Sequence, residues 1–313
     1  MLRFCVVPAD PDVSDSRLRR HGLGFLEATN RPSVQELSEF YAQTYYQEEK
    51  ANYRKKYSTA ELEVKSARTD RLVRHAISLV GLQGEGGSFL DLGCGEGFVM
   101  AALDRMGWTV SGVDFSVAGL RSMNPSVEKF VEQGDIFQIL EHRVAAGELY
   151  DMIWLDHVLE HVLDPVGLLT LARQVVAVNG ALVITVPNDG NHYHEHLLAE
   201  GLVRDRWWIS PPEHMSYFTN ESLRFVSEAT GWRCDSMLAS FSVDFFLSHS
   251  GSNYIMDPSK GPEAHEAKLR LELLIENAGP EKANALYAAI AEAGLGRQLS
   301  AFLFLMLWGE NRR

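Results

Sequence analysis

Hydrophobic positions in the middle of the chain alternate between short apolar runs and segments with helical spacing. The apolar runs predict strands at residues 88–92, 109–113, 129–132, 152–155, 181–186 and 234–241. Helical spacing connects several of them, at residues 98–106, 163–176 and 220–230. Wholly apolar strands bounded by Gly, Asp or Asn are typical of a parallel sheet covered by helices on both faces. The pattern predicts an α/β fold.

The beginning of the chain has a different pattern. Its first 68 residues show no strand signal and are predicted as a helical leader. Within them, Ser33 and Glu36 have the spacing of a capping box and predict a helix start. A further helical pattern at residues 69–80 opens the core.

The end of the chain predicts a helical insertion before a final strand. Two Ala-, Glu- and Leu-rich helices, each beginning with Pro, are expected at residues 262–279 and 280–293. Strand character returns at residues 299–307. We therefore expect a core of residues 69–245 plus 297–310, interrupted by an insertion at residues 246–296.

Composition narrows the class of protein. Of 313 residues, 46% are hydrophobic and 23% charged, which is ordinary for a soluble globular chain. No apolar run approaches the ~20 residues of a membrane-spanning helix, and no signal-peptide core is visible. A cytoplasmic protein is expected. The net charge of −13 predicts no nucleic-acid partner, and the three cysteines form no CxxC pair for a zinc module.

The most informative motif is FLDLGCGEGFVMAAL, residues 89–103, in which a strand, a glycine turn and a helix follow one another. Gly93 and Gly95 let a ligand approach the backbone, and the helix start attracts negative or polar groups. Phe98 stands where a dinucleotide motif has its last glycine, and no P-loop is present. Asp91 would repel a pyrophosphate but could receive an ammonium group. A nucleoside that carries an amino acid fits this turn best.

Acidic residues recur at the ends of the following strands, where open α/β sheets bind ligands. Asp114 can accept both ribose hydroxyls, and Asp135 suits an adenine amino group. Asp156 follows the fourth strand. The predicted cofactor-binding residues are Asp91, Gly93, Gly95, Asp114, Phe115, Asp135, Ile136 and Asp156.

These motifs together resemble the class I S-adenosylmethionine-dependent methyltransferases. DLGCGEG resembles their first motif, GVDFS their ribose-binding strand end, and QGDIF their adenine contact. YDMIWLDHVLEHVLDP and GALVITVPN resemble their fourth-strand motif and fifth strand. The resemblance implies S-adenosyl-L-methionine as cofactor. It also implies a Rossmann-like seven-stranded sheet with an antiparallel last strand, residues 299–307.

The HVLEH run places His157, Glu160 and His161 on one face of a helical turn. That spacing suits either a divalent metal or a base with an orienting partner. The run resembles the ubiquinone-pathway O-methyltransferases, in which an E-x-x-E-H sequence is associated with a metal. Here His157 replaces the first Glu, so the metal stays unknown.

Residues 188–219 combine four histidines with aromatic side chains, and an aromatic lid over a sugar-like acceptor is one interpretation. Surface histidines on a loop are the alternative. PPEHMSYFT resembles a segment of bacterial methyltransferases of sugars and polysaccharide biosynthesis, in which His214 would be the base.

The sequence favours methyl transfer to an oxygen of a small or sugar-like acceptor, with a histidine base: His214, His161 or His157. A nicotinamide dehydrogenase and a non-catalytic binding scaffold are the alternatives. The apolar stripes of the insertion helices can pack on the core, form a lid or make a homodimer.

Overall fold

A computed structural model describes residues 14–33, 36, 57–82 and 86–306. We number the elements of these residues in chain order. The strands are β1 (Leu18–Arg20), β2 (Leu26–Ala28), β3 (Ser88–Leu92), β4 (Thr109–Asp114), β5 (Val131–Gln133), β6 (Tyr150–Asp156), β7 (Val176–Pro187), β8 (Ser216–Tyr217), β9 (Trp232–Ala239) and β10 (Gln298–Leu305). The helices are α1 (Thr59–Val80), α2 (Phe98–Arg105), α3 (Ala118–Met123), α4 (Ile136–Ala146), α5 (Pro165–Val175), α6 (His192–Ala199), α7 (Asn220–Ala229), α8 (Gly261–Asn277) and α9 (Pro280–Glu292).

A seven-stranded sheet forms the centre, in the order β5-β4-β3-β6-β7-β10-β9. Strands β3 to β7 pair in parallel, whereas β10 runs antiparallel to both β7 and β9. This confirms the predicted α/β fold with an antiparallel last strand. Chain order reverses between β3 and β6, and open α/β sheets bind ligands in the crevice at such a point.

Both faces of the sheet are buried, which explains why the strands are wholly apolar. In β6, Ile153 and Leu155 pack into the core on one face. Met152 and Trp154 pack into the core on the other face. Each fully buried side chain of this kind contributes about 1.5–3 kcal/mol. The sheet is thereby held rigid, and its strand ends are held in fixed positions.

Several predicted boundaries shift by a few residues. The strand expected at residues 129–132 begins at Val131, because Pro125–Phe130 forms a 3₁₀ turn before it. Helix α1 begins ten residues before the predicted 69, where Ser58 and Glu61 make a capping box. The expected boundary between leader and core at residue 68 therefore falls inside a helix.

The expectation of a leader without strands is wrong. β1 and β2 form a hairpin, and β2 pairs with β8 to complete a small antiparallel sheet. Three-residue strands carry too few alternating positions to be visible in the sequence. Their side chains Leu18 and Leu26 are buried in a cluster with residues far along the chain: Trp208, Ile209 and Tyr217. Ser33 and Glu36 do make the expected capping hydrogen bonds. The rest of that predicted helix lies outside the described residues.

The insertion is helical, as predicted. Its anchor is a buried ion pair between Arg71 of α1 and Glu276 of α8, at 2.8 Å. Part of the predicted apolar stripe faces solvent: Leu274 is 68% exposed, although Ala264 is buried. Among the described residues, no helix is long and apolar enough to cross a membrane.

Candidate active site

A cavity of about 540 Å³ opens at the carboxyl ends of β3, β4 and β6. Residues from four consecutive strand ends line it, together with residues from α1, β10 and the segment before β8. All eight predicted cofactor-binding residues line it: Asp91, Gly93, Gly95, Asp114, Phe115, Asp135, Ile136 and Asp156. So do the three predicted catalytic histidines, His157, His161 and His214. One cavity therefore holds every predicted site residue.

The glycine turn after β3 is held against β4 by backbone hydrogen bonds. Gly93 N–H donates to Val113 O at 2.7 Å, and Gly95 N–H donates to Asp114 Oδ2 at 2.8 Å. Gly93 has φ +80°, and a Cβ there would lie 2.4 Å from a methyl carbon of Val158. Only glycine satisfies both conditions. The turn keeps a backbone surface open to a ligand.

Two buried carboxylates differ in how they are satisfied. Asp114 accepts backbone hydrogen bonds on both oxygens, from Gly95 and from Ser116. Asp91 is buried, and its Oδ1 has no hydrogen-bond partner among the residues that the structure describes. Burial, with the nearby charges of Asp156 and Asp114, raises the pKa of Asp91. An arriving ammonium group would relieve this isolated carboxyl group.

The third strand end supplies a helix cap beside an apolar surface. Asp135 accepts a hydrogen bond from the Gln138 N–H and caps α4. Ile136 follows it, buried at the cavity wall. The pair offers a ligand one carboxylate and one apolar contact.

Basic residues of α1 form a rim that sequence reasoning missed. Lys65 Nζ lies 2.6 Å from Glu96 Oε2 and 4.6 Å from the centre of the Phe98 ring. Arg68 also lines the cavity. No motif indicates these contacts, because α1 meets the glycine turn only in the folded chain.

His157 is bound at both ring nitrogens. It adopts φ +58°, rare outside glycine. Its Nδ1–H donates to Glu160 Oε1 at 2.8 Å, and Gln298 donates to its Nε2 at 2.6 Å. Arg68 donates to the Gln298 oxygen at 2.8 Å, which sets the orientation of that amide. These bonds suit an orienting role better than that of a base.

His161 and Glu160 face each other inside the cavity wall. The Nδ1–H of His161 donates to the Glu213 carbonyl at 2.6 Å, so Nε2 carries the lone pair. Burial lowers the pKa of His161. Burial raises the pKa of Glu160, but the hydrogen bond from His157 and the nearby histidines outweigh it and lower that pKa to about 2. Glu160 is thus a buried anion beside a neutral imidazole.

His214 lies against this pair, with its ring centre 5.0 Å from that of His161. Asp189 Oδ2 lies 3.5 Å from His214 Nδ1, an ion-pair distance. Burial lowers the pKa of His214, but Asp189 and Glu160 outweigh it and raise that pKa. A histidine with a raised pKa and a carboxylate behind it is suited to take up a proton.

The sequence left open whether a metal binds, and the structure offers a poor site for magnesium. Donor atoms of Glu160, His161 and His214 lie within 4.8 Å of one another. Two of the three are nitrogen, whereas Mg²⁺ prefers oxygen. His157, at the position of the first glutamate, is bound to Glu160 and offers no carboxylate. The group fits a proton-holding network instead.

The aromatic residues that the sequence suggested as a lid lie away from the cavity. Trp208 and Tyr217 pack in one small cluster, and Tyr193 and Trp207 in another that includes α6. None of these four lines the cavity. His192 and His196 lie four residues apart on the exposed face of α6, whereas His194 points to another face and is buried. Of the histidines at residues 188–219, His214 is the one that lines the cavity.

Comparisons with known proteins show which proteins this chain is similar to. A family described as "Methyltransferase domain" matches residues 65–237. A ubiquinone biosynthesis O-methyltransferase from Salmonella paratyphi A is 26% identical over 155 residues, 44% of this chain and 62% of that protein. One from Dinoroseobacter shibae is 33% identical over 100 residues, 32% of this chain and 40% of that protein. A SAM-dependent methyltransferase structure from Archaeoglobus fulgidus covers 79% of this chain and 94% of that chain, with 19% identity and a TM-score of 0.48.

The alignments thus span about half the length of these curated relatives. The family match, however, covers more than half of the present chain and includes the glycine turn and every strand-end acid described above. The chain belongs to the methyltransferase domain family.

Proposed function

We propose that this protein transfers a methyl group from S-adenosylmethionine to an oxygen of a small acceptor. One observation supports the proposal: the glycine turn and the strand-end acids line the same cavity as His214, which has the Asp189 carboxylate behind it. The cofactor half supplies Asp114, the glycine turn and the buried Asp91. The other half supplies a proton acceptor.

S-adenosylmethionine fits the residues present. Asp91 would pair with its ammonium group, Asp114 would accept the ribose hydroxyls, and Asp135 with Ile136 would hold the adenine. The cofactor supplies, when bound, a methyl group activated on a sulfonium. The protein's contribution is to bind and orient both reactants and to exclude water.

The histidines manage the acceptor's proton. His214 takes the hydroxyl proton as the oxygen becomes a nucleophile, and the anionic Glu160 stabilises the imidazolium that results. His161 donates its Nδ1–H to the Glu213 carbonyl, so its Nε2 carries a lone pair that can accept a hydrogen bond from the acceptor. His157 orients Glu160.

Polar side chains of the acceptor half favour a hydroxyl-bearing acceptor, and we propose a sugar-like or similar small molecule. Glu213, Arg297 and Gln298 line this half beside the histidines. They can hydrogen-bond to several hydroxyl groups, in place of the aromatic stacking that the sequence suggested.

Two measurements test the function. Calorimetry should show binding of S-adenosylmethionine and its demethylated product, and none of NAD. Transfer of a labelled methyl group should then be assayed on panels of hydroxyl and amine acceptors of matched size. Tight NAD binding without sulfonium binding would refute the proposal, and transfer to amines alone would refute the oxygen acceptor.

The homodimer remains a further proposal. Leu271 and Leu274 of α8 and Leu286 of α9 are exposed, and such apolar side chains can pack against a second copy. Light scattering on the intact chain is the test. A monomer at all concentrations would exclude the dimer.

A further inference from the structure

Behind His214, charged side chains of alternating sign continue away from the cavity. Asp189 lies between His214 and Arg297, with its Oδ1 3.7 Å from Arg297 Nη1. The same guanidinium nitrogen lies 3.8 Å from Asp244 Oδ2. Asp244 in turn is 3.2 Å from His194 Nε2 and accepts a hydrogen bond from the Tyr254 hydroxyl. We call His214, Asp189, Arg297 and Asp244 the charge chain.

The charge chain joins four parts of the sequence that have no local relation. Asp189 follows β7, His214 precedes β8, Arg297 precedes β10, and Asp244 belongs to the segment after β9. Both aspartates are buried, whereas the Arg297 side chain is 43% exposed and lines the cavity. Burying two carboxylates around one cation costs free energy unless the groups compensate one another. Because this arrangement adjoins the candidate base His214, its charges act on that imidazole.

We propose that Asp189 is a positioning residue for His214, and that Arg297 and Asp244 hold its carboxylate in place. Asp189 faces Nδ1, so Nε2, on the opposite edge of the ring, is the nitrogen left for the acceptor. As the acceptor oxygen bonds to the methyl carbon and the carbon–sulfur bond breaks, the hydroxyl proton passes to Nε2. The positive charge lost from the sulfonium reappears on the imidazolium, next to Asp189. This inference rests on the proposed function.

Other groups also face His214. Glu160 and His161 approach from the segment after β6, Glu213 precedes it, and Tyr217 of β8 donates to its carbonyl. His214 must be neutral to accept a proton, so activity falls as the pH drops through its pKa. Asp189→Asn removes a negative charge and should lower that pKa. Arg297→Gln removes a positive charge and should raise it.

The test combines kinetics with a readout that needs no turnover. Asp189→Asn should move the acid limb of kcat/KM down by about one pH unit. It should lower kcat about 10- to 100-fold, less than loss of the base itself, with the acceptor KM little changed. Arg297→Gln should move the limb upward. Nuclear magnetic resonance of labelled histidines, with the His214 signal assigned by its absence in His214→Gln, should show the same opposite shifts.

Two controls make the outcome decisive. Asp257→Asn, an exposed carboxylate of the insertion, should change neither the limb nor the His214 titration. In a His214→Gln background, Asp189→Asn should have almost no further effect on kcat. The proposal would be overturned if Asp189→Asn left the pKa of His214 unchanged. It would also be overturned if Asp189→Asn lowered kcat as much in the His214→Gln background as in the native protein.

Folding and function can be separated from this result. If Asp189→Asn fails to fold by circular dichroism, Arg297→Gln carries the test, and the absence of an upward shift overturns the proposal. If no acceptor is methylated, the proposed function fails while the titration of His214 still decides whether Asp189 governs it.

Discussion

The two halves of the cavity are built in opposite ways. In the cofactor half, each residue stands at the end of its own strand: Asp91 on β3, Asp114 on β4, and Asp135 just after β5. In the acceptor half, His161, His214 and Arg297 come from segments that meet only in the folded chain. Parallel strands deliver their ends to one edge by the rules of the fold. No such rule positions the residues of the acceptor half, and no local sequence motif therefore predicts how they are arranged.

The largest expected difference between the halves concerns His214. His214→Ala should lower the transfer rate about 10²–10⁴-fold and leave the cofactor's dissociation constant nearly unchanged. The reason is that this imidazole belongs to the acceptor half alone. Stopped assays and calorimetry on the same preparation measure both quantities. Full turnover in the variant would end the role of His214 as a base.

A pH-dependent effect on stability should follow from Glu160. Its pKa is lowered from 4.5 to about 2, so its stabilisation is fully present above pH 4.5 and disappears as the pH falls from there towards 2. This contribution is on the order of 3 kcal/mol. The free energy of unfolding of Glu160→Gln should approach that of the native protein in acid. Denaturant titrations at pH 7 and pH 3 compare them, with the exposed Glu221→Gln as control; a gap that stays constant would contradict the assignment.

The cofactor half should respond to Asp114. Asp114→Ala removes the carboxylate proposed to accept the ribose hydroxyls. It also leaves the backbone N–H groups of Gly95 and Ser116 without this acceptor. Cofactor binding should weaken by about 1.5–3 kcal/mol, the range for hydrogen bonds to charged groups. Calorimetry measures it, with Asp235→Ala of β9 as a distant control. An unchanged dissociation constant in the folded variant would remove Asp114 from the cofactor site.

The smallest effect compares two glycines of one turn. Gly93→Ala places a methyl group 2.4 Å from Val158 Cγ2, whereas a Cβ at Gly95 meets nothing within 4 Å. Gly93→Ala should destabilise the protein by about 1–3 kcal/mol, and by more than Gly95→Ala. Adding Val158→Ala should recover part of the loss, since it removes the clashing methyl group. Thermal unfolding measures the stability of both glycine variants. An equal loss of stability in the two would show that backbone strain at positive φ causes it, and that the contact with Val158 does not.

Much of the fold was predictable because its signals are local. The apolar runs of β3, β6 and β7 and the glycine turn are each readable within about ten residues. The same holds for Asp91, Asp114 and Asp135, since the position of a residue at a strand end is part of the strand pattern. The hairpin of β1 and β2 was missed because three-residue strands carry almost no periodicity.

The acceptor half was predictable only by residue type. His157 and His161 are both in the HVLEH run, yet the fold ties His157 to Gln298 and turns His161 towards His214. Trp207 and Trp208 are side chains that could stack on a sugar ring, but Trp208 is buried and Trp207 partly buried in packing away from the cavity. Sequence spacing states which groups are available and leaves their direction open.

The sequence by itself therefore determined the sheet, the glycine turn and the strand-end acids, because strand periodicity and turn chemistry act over a few residues. Tertiary structure alone decided which histidine meets which carboxylate. Asp189, His214 and Arg297 are far apart in the chain, and their ion-pair contacts exist only after β7, β8 and β10 have taken their places. Charge interactions depend on distance in space and on burial, and the order of the residues along the chain does not give either quantity.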